Sequence, residues 1–369
     1  MTRLKVTKLS AFFTVAGLVA ASLLLVRCQQ KTALAADDSF SAATHTFIKF
    51  SVPGAGKNKG QGTIGRSIAD DGSISGWFYD SSSIPHGFLR SAGGTFVKFD
   101  PPGSVGTLPK NINSKLAIVG FYTDSNSVYH GFLRSPQGKL SKIDDPKAGK
   151  GSGQGTFAWN INTSGEIVGY YLDANNAYHG FARTPAGKFT SFEAPKAGTG
   201  QFQGTQPFGL TDAGAICGAY SDSSSTSRGF LRAPDGTFTT FEVAGSFGTY
   251  VASMNAKNTI AGQYVSSDFF GFVRTPDGKI TSFSVLRGTS ALSVGTINAA
   301  GAIVGSYDDA GQVMHGYVRD PDGRITKFSV PGAGHDSNQG TAPFANNSAG
   351  VITGYYTDSN GVYHGFLRK

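Results

Sequence analysis

Cysteine is scarce: the chain of 369 residues has two, Cys28 and Cys217. With so few there is no cysteine cluster to bind a metal. Charge is thin as well, at 15% Asp, Glu, Lys and Arg against roughly 25% in ordinary globular chains. Proline is limited to 15 residues while Phe and Tyr are plentiful, which excludes a disordered composition. Beyond residue 36 no amphipathic helical period of useful length occurs, so helical folds are excluded. The G-x-S-x-G, H-E-x-x-H and P-loop motifs are also missing, and with them the enzymes that a local motif would announce.

Glycine, in contrast, is abundant at 51 residues, about twice the usual share of roughly 7%. Many glycines among many aromatics point to numerous short strands joined by tight turns. The first 36 residues stand apart. MTRLKVTK is basic, Leu9 to Val26 is uncharged, and Ala33-Leu34-Ala35 gives a small-x-small cleavage motif. This is the pattern of a secretory signal peptide, with a retained N-terminal anchor as the alternative. A lipoprotein attachment through Cys28 is disfavoured because Arg27 stands where a small residue is needed. Residues 37–44 are expected to be a linker, and the protein to be exported to the periplasm or the exterior.

Cleavage leaves 27 basic against 24 acidic residues, +3 rather than +8, so the high pI belongs to the export segment and does not indicate nucleic acid. It also leaves Cys217 as the sole cysteine, with no intramolecular disulfide to form. Cys217 lies in an apolar second strand, AICGAY, and reads as a small core residue.

HGFLR-like segments recur at His86, His130, His179, Arg228, Phe270, His315 and His364, at intervals of 42 to 49 residues. Seven such repeats fit a propeller or stacked array. Each repeat divides into four strand-length pieces, for example GTFAWNIN (155–162), EIVGYYLD (166–173), HGFAR (179–183) and KFTSFEAP (188–195). Turns such as NTSG and TPAG join neighbouring pieces, and a longer link, such as PKAGKGSGQG (146–155), leads to the next repeat. The last repeat lacks a fourth strand, and HTFIKFSVPGAG (45–56) is a spare one that matches RITKFSVPGAG (324–334). The expected fold is therefore all-β, a seven-bladed β-propeller over 45–369 closed by pairing the N-terminal strand with the last blade.

INTSGEIVGYYLDANNAYHGFAR (161–183) and INAAGAIVGSYDDAGQVMHGYVR (297–319) resemble the units of bacterial extracellular HAF-repeat proteins, which pair H-[AG]-F-L with I-N-x-x-G-x-[IV]-V-G. The resemblance covers nearly all of residues 45–369 in a variant His-Gly-Phe-Leu-Arg form, and it implies an exported repeat protein rather than a particular activity.

Asp80, Asp124, Asp173, Asp222, Asp309 and Asp358 each precede the start of an HGF segment by six residues. Their partners are His86, His130, His179, Arg228, His315 and His364. In the fifth repeat Ser266 and Phe270 replace acid and donor together, which predicts contact across a hairpin and a buried structural pair. A catalytic pair needs one unique site, not a copy in nearly every repeat. The DSNG-like turns also carry the oxygen-rich look of a calcium loop, but a hairpin turn explains them; no cofactor is expected. Seven arginines, Arg90, Arg134, Arg183, Arg232, Arg274, Arg319 and Arg368, are expected opposite Gly76, Gly120, Gly169, Gly218, Gly262, Gly305 and Gly354.

Binding residues are sought where the repeats differ. Aligned on Gly-Thr, the first strands vary at Arg66, Lys110, Trp159, Phe208, Ala252 and Phe344. Cations beside aromatics suit sugars or an acidic ligand. The long links add Lys57, Lys59, Lys147, Lys150, Lys196, Arg287 and His335, expected to make one face mildly positive. The reading is a secreted or envelope-associated, non-enzymatic, monomeric scaffold for anionic glycans or a protein partner. It touches a membrane only through an uncleaved N-terminus. A carbohydrate-active enzyme, lyase or hydrolase, and a structural envelope protein are the alternatives.

Overall fold

Alternating apolar residues bounded by glycine turns dictate short strands, and the described residues contain 28 of them and no helix. The computed structural model describes residues 45–289 and 291–369. The export segment expected over 1–36 and the linker over 37–44 lie outside the described residues.

Strands are numbered in chain order from β1 (Phe47–Phe50). The first four-stranded unit is β2 (Gly62–Ile68), β3 (Ile74–Tyr79), β4 (Pro85–Arg90) and β5 (Phe96–Phe99), a continuous antiparallel meander. The pattern repeats from first strands β6 (Gly106–Ile112), β10 (Gly155–Ile161), β14 (Gly204–Leu210), β18 (Gly248–Met254) and β22 (Leu292–Ile297). The last unit is β26 (Gly340–Asn346), β27 (Ile352–Thr357) and β28 (Tyr363–Arg368), and β1 pairs antiparallel with β28, Phe47 opposite Arg368 and Phe50 opposite Gly365. The backbone bonds Thr46 N to Lys369 O and Lys369 N to Thr46 O extend this pairing.

Within a unit the second and third strands pack through one recurring fit. Phe88, Phe132, Phe181, Phe230, Phe272, Tyr317 and Phe366 are fully buried and pair in register with Gly76, Gly120, Gly169, Gly218, Gly262, Gly305 and Gly354. A Cβ on Gly218 would stand 2.2 Å from Gln206 O and 2.8 Å from the Phe230 ring, so only glycine fits. This corrects the expected pairing of arginine with glycine. The arginines lie two residues further along, on the same face, Arg90 opposite Ile74 for example. Arg90, Arg134, Arg232, Arg274, Arg319 and Arg368 instead lay their guanidinium groups over Phe50, Phe99, Phe192, Phe241, Phe283 and Phe328 at 4.6–5.3 Å, which ties each of these six units to the fourth strand before it; Arg183 lies over Phe189 of its own unit at 5.7 Å.

A second tie between units is a hydroxyl. Thr63, Thr156, Thr205, Thr249 and Thr341 have no exposed surface, and each Oγ1 accepts an N–H from just beyond a preceding fourth strand: Val52, Asp145, Ala194, Val243 and Val330, each at 2.9 Å. Cys217 is buried and its thiol is pushed up to about 12 by burial, which keeps it an inert thiol in the core.

Thr341→Val keeps the shape and leaves the Val330 N–H buried without an acceptor. Thermal or urea unfolding should show a loss of about 1–3 kcal/mol; an unchanged midpoint would mean that the hydroxyl is not a tie.

Candidate functional site: the bulges of the inner strands

Every first strand breaks register with its second strand at one place. The residues left over are Arg66, Lys110, Trp159, Phe208, Ala252 and Phe344, with Gly295 and Thr296 in β22. A bulge re-aims the side chain of the extra residue. The position that varies between repeats is thus the position where the backbone turns a side chain out of the ladder.

Five of these residues form one arc. The Arg66 guanidinium lies 5.1 Å from the Phe344 ring, and Trp159 packs on Phe208 at 5.2 Å. Lys110 Nζ sits among Trp77 at 5.4 Å, Phe121 at 4.8 Å and Trp159 at 5.1 Å. Phe344 continues to Tyr355 at 5.6 Å. Lys110 is buried, whereas Arg66, Trp159, Phe208 and Phe344 keep partial exposure.

Burial of the Lys110 ammonium, with the Arg66 charge adding to it, brings its pKa from 10.5 down to about 7. Arg66 is itself lowered to about 10 by burial. The three rings facing Nζ oppose this by favouring the cation. The result is an amine whose proton comes and goes near neutrality.

The Asp and His positions are organised differently. Asp124 Oδ1 accepts the backbone N–H groups of Asn126 and Val128, bracing the hairpin, while Oδ2 faces His130 Nε2 at 3.4 Å. The same arrangement holds for Asp80–His86, Asp173–His179, Asp309–His315 and Asp358–His364 at 3.1–3.5 Å, and for Asp222 with Arg228 Nε at 3.0 Å. Each imidazole also stacks on an aromatic of the second strand, and Phe270 keeps that stacking on Tyr264 in the fifth unit. These pairs are partly exposed rather than buried, because the hairpins stand at the rim.

A third partner, 14 residues beyond the histidine, is a feature that the motif alone does not announce. His86 Nδ1 meets Asp100 at 2.7 Å, His130 meets Asp144 at 3.0 Å and His179 meets Glu193 at 2.6 Å. Arg228 meets Glu242 and His315 meets Ser329, while His364 meets Ser51 of the N-terminal strand. The constant 14-residue spacing is the signal in the sequence that could have found it. Glu193 first, then Asp173, holds His179 above its usual value.

The long links end on the same side as these hairpins: Gln61, Gln154, Gln203 and Gln339 donate to Ser81, Ala174, Ser223 and Ser359 carbonyls there. The six aspartates, Asp100, Asp144, Glu193 and Glu242 therefore share the rim with Lys57, Lys59, Lys147, Lys150, Lys196, Arg287 and His335. The rim is mixed in charge, not positive. Among the described residues no group of three or more His, Cys, Asp or Glu side chains is placed to hold a metal ion.

No protein-family model matches the chain, and no curated protein sequence does. Solved structures match its shape. A streptogramin B lyase shares 13% identity at TM-score 0.57, over 88% of this chain and 97% of the other. An oligogalacturonate lyase from Vibrio parahaemolyticus shares 13% at TM-score 0.55, over 88% and 97%. The β-propeller domain of the Trilobed protease from Pyrococcus furiosus shares 10% at TM-score 0.58, over 87% and 94%. At such identity the likeness establishes the fold, which is β-propeller-like. The expectation of a non-enzymatic scaffold is not what these matches support: the proteins that share this shape include lyases and a puromycin hydrolase.

Between pH 7 and 10.5 the unfolded chain holds the lysine proton that the folded chain has released, so stability rises with pH across that window. Below about 7 the fold carries the full burden of a buried ammonium. Lys110→Met removes that burden, and its gain in thermal midpoint should be larger at about pH 6 than at about pH 9. Equal gains at both pH values would show that Lys110 titrates normally.

Proposed function

We propose that the protein is a seven-bladed β-propeller, closed by β1 on β28, that acts as a lyase on carboxylate-bearing glycans at the bulges of its inner strands. The blade count and closure are supported by the four-stranded units, by the contacts of each first strand with the next, and by contacts between β26 and β2. Side-chain bonds from Asn298 to Asn347 O and from Asn347 to Ala69 O run the same way around. The HAF-type motif and the N-terminal segment support an exported, monomeric repeat protein acting on polysaccharide rather than nucleic acid.

One observation carries the chemistry: the amine of Lys110, buried among rings and poised near neutrality, stands beside Arg66. β-Elimination from a uronate needs a base for the proton on the carbon next to the carboxylate, and a cation for the charge that builds there. Neutral Lys110 takes the proton. The released electron pair forms a carbon–carbon double bond and expels the glycosidic oxygen on the next carbon, which picks up a proton from water. Arg66 pairs with the carboxylate and stabilises the enolate-like charge. Trp159, Phe208 and Phe344 offer faces on which sugar rings stack. Oligogalacturonate, after which the matched Vibrio parahaemolyticus lyase is named, is a substrate of this class.

The test is the ultraviolet absorbance of unsaturated sugar ends released from oligogalacturonate and other polyuronates. The rate should rise with pH through about 7, as Lys110 loses its proton. Lys110→Met should lower kcat by about 10²–10⁴, and Arg66→Gln should lower kcat/KM. If no polyuronate yields unsaturated ends, the lyase reading fails.

A further inference from the structure

The wall around the site is uneven. On β2, β6, β10, β14, β18 and β26 the bulge is preceded two residues earlier by Ile64, Leu108, Phe157, Gln206, Tyr250 and Ala342, facing Trp77, Phe121, Tyr170, Ala219, Gln263 and Tyr355 on the second strands. The sixth unit departs from this. Its first strand, β22, lacks the Gly-Thr start and places Ser293 opposite Ser306 of β23 (Ile303–Asp308). Ser293 is the one exposed residue on any of the described first strands. Beside it the bulge holds Gly295 and Thr296 rather than a large side chain, and the neighbouring fifth unit offers only Ala252.

At the rim end of β23 stands Asp308. The matching positions are Tyr79, Thr123, Leu172, Ser221, Val265 and Thr357, so an acid here is unique to this unit. Its backbone is held, with N bonded to Ala291 O and its carbonyl accepting from Thr289 Oγ1. Its half-buried carboxylate has no hydrogen bond or ion pair among the described residues. Asp309 and His315 from its own hairpin and Tyr355 from β27 are the titratable groups within electrostatic reach. Burial first, then Asp309, raises the Asp308 pKa. Tyr355 in turn packs on Phe344, over which Arg66 lies. Asp308, Ser306 and Ser293 thus follow one another from the rim towards the level of the bulges, with small or hydroxylated side chains at each place.

We propose that this wall of the sixth unit is a subsite for the sugar adjoining the one that reacts. Asp308 accepts hydrogen bonds from its hydroxyl groups, and Ser293 and Ser306 bond its remaining polar edge. This deepens the lyase reading and rests on it. A carboxylate with open acceptor sites and two hydroxyl side chains suit a polyhydroxylated ring, and the missing aromatic leaves room for it.

Two substitutions of the full chain test this, each drawn from what the sibling units carry at the same register. Ser306→Tyr supplies the ring that Tyr170 and Tyr355 provide elsewhere, so the fold is retained and the path filled. Its kcat/KM on oligogalacturonate should fall about 100-fold, equivalent to two lost hydrogen bonds, with no change in the cooperativity of unfolding. Asp308→Thr, matching Thr123 and Thr357, should raise KM about tenfold and leave kcat in place, because the contact lies away from the breaking bond. Unchanged kcat/KM for Ser306→Tyr in an active protein overturns the subsite alone. A fall in kcat without a rise in KM for Asp308→Thr overturns its role as a binding group. A wild-type protein that yields no unsaturated ends sinks the lyase reading and the subsite with it.

Discussion

A threonine hydroxyl with no exposed surface, accepting one backbone N–H from the end of a preceding fourth strand, is the constraint on which the architecture depends. It recurs at Thr63, Thr156, Thr205, Thr249 and Thr341 with the same 2.9 Å geometry. A buried N–H left without an acceptor is costly, so the bond fixes where one unit ends and the next begins. The arginine laid over a phenylalanine of the preceding outer strand fixes the same boundary from its other end. Between these two ties the sheets have little freedom to slide, and the inner strands are delivered to the axis in a common register.

That register is what gives the bulges their meaning. With the strands held in step, one extra residue per inner strand turns outward at the same level in unit after unit. The identity of that residue is released from the ladder, so it can differ from unit to unit without cost to pairing. The repeat spends its invariance on packing, the glycine under each buried phenylalanine above all, and leaves the bulge to chemistry. The sixth unit extends this logic: having lost the threonine, it also holds two serines, Ser293 and Ser306, where the other units carry at least one larger side chain.

Much of this was legible in the chain. Repeat length, strand boundaries and the fit of residues 45–56 to a missing outer strand follow from period, turns and self-similarity. So does the convergence of Arg66, Lys110, Trp159, Phe208 and Phe344, since aligned repeats expose the position that varies. The misplaced contacts have physical causes. Gly76 faces Phe88 and not Arg90 because the register across a hairpin depends on a turn length that the sequence does not state; a shift of two residues preserves the face and so gives no warning. The third partner of each histidine lies across a different strand pair, just beyond the end of a fourth strand, where a lone Asp100 or Glu193 looks like any solvated acid. The depth of Lys110 was invisible because it depends on Trp77 and Phe121, contributed by second strands of two units. The rim is mixed in charge because the hairpins and the long links end on one side.

The pairing of β1 with β28 has a consequence for biosynthesis. The last sheet takes its outer strand from residues 47–50, among the first of the domain to emerge, and its other strands from residues 340–368. Until the final repeat has been made, Phe50 has no Gly365 to lie on, and Ser51 has no His364. Early repeats can form hairpins locally, but the outer strand must wait, unpaired, for the arrival of the other end. The last sheet can be completed only once both of its contributing segments are present.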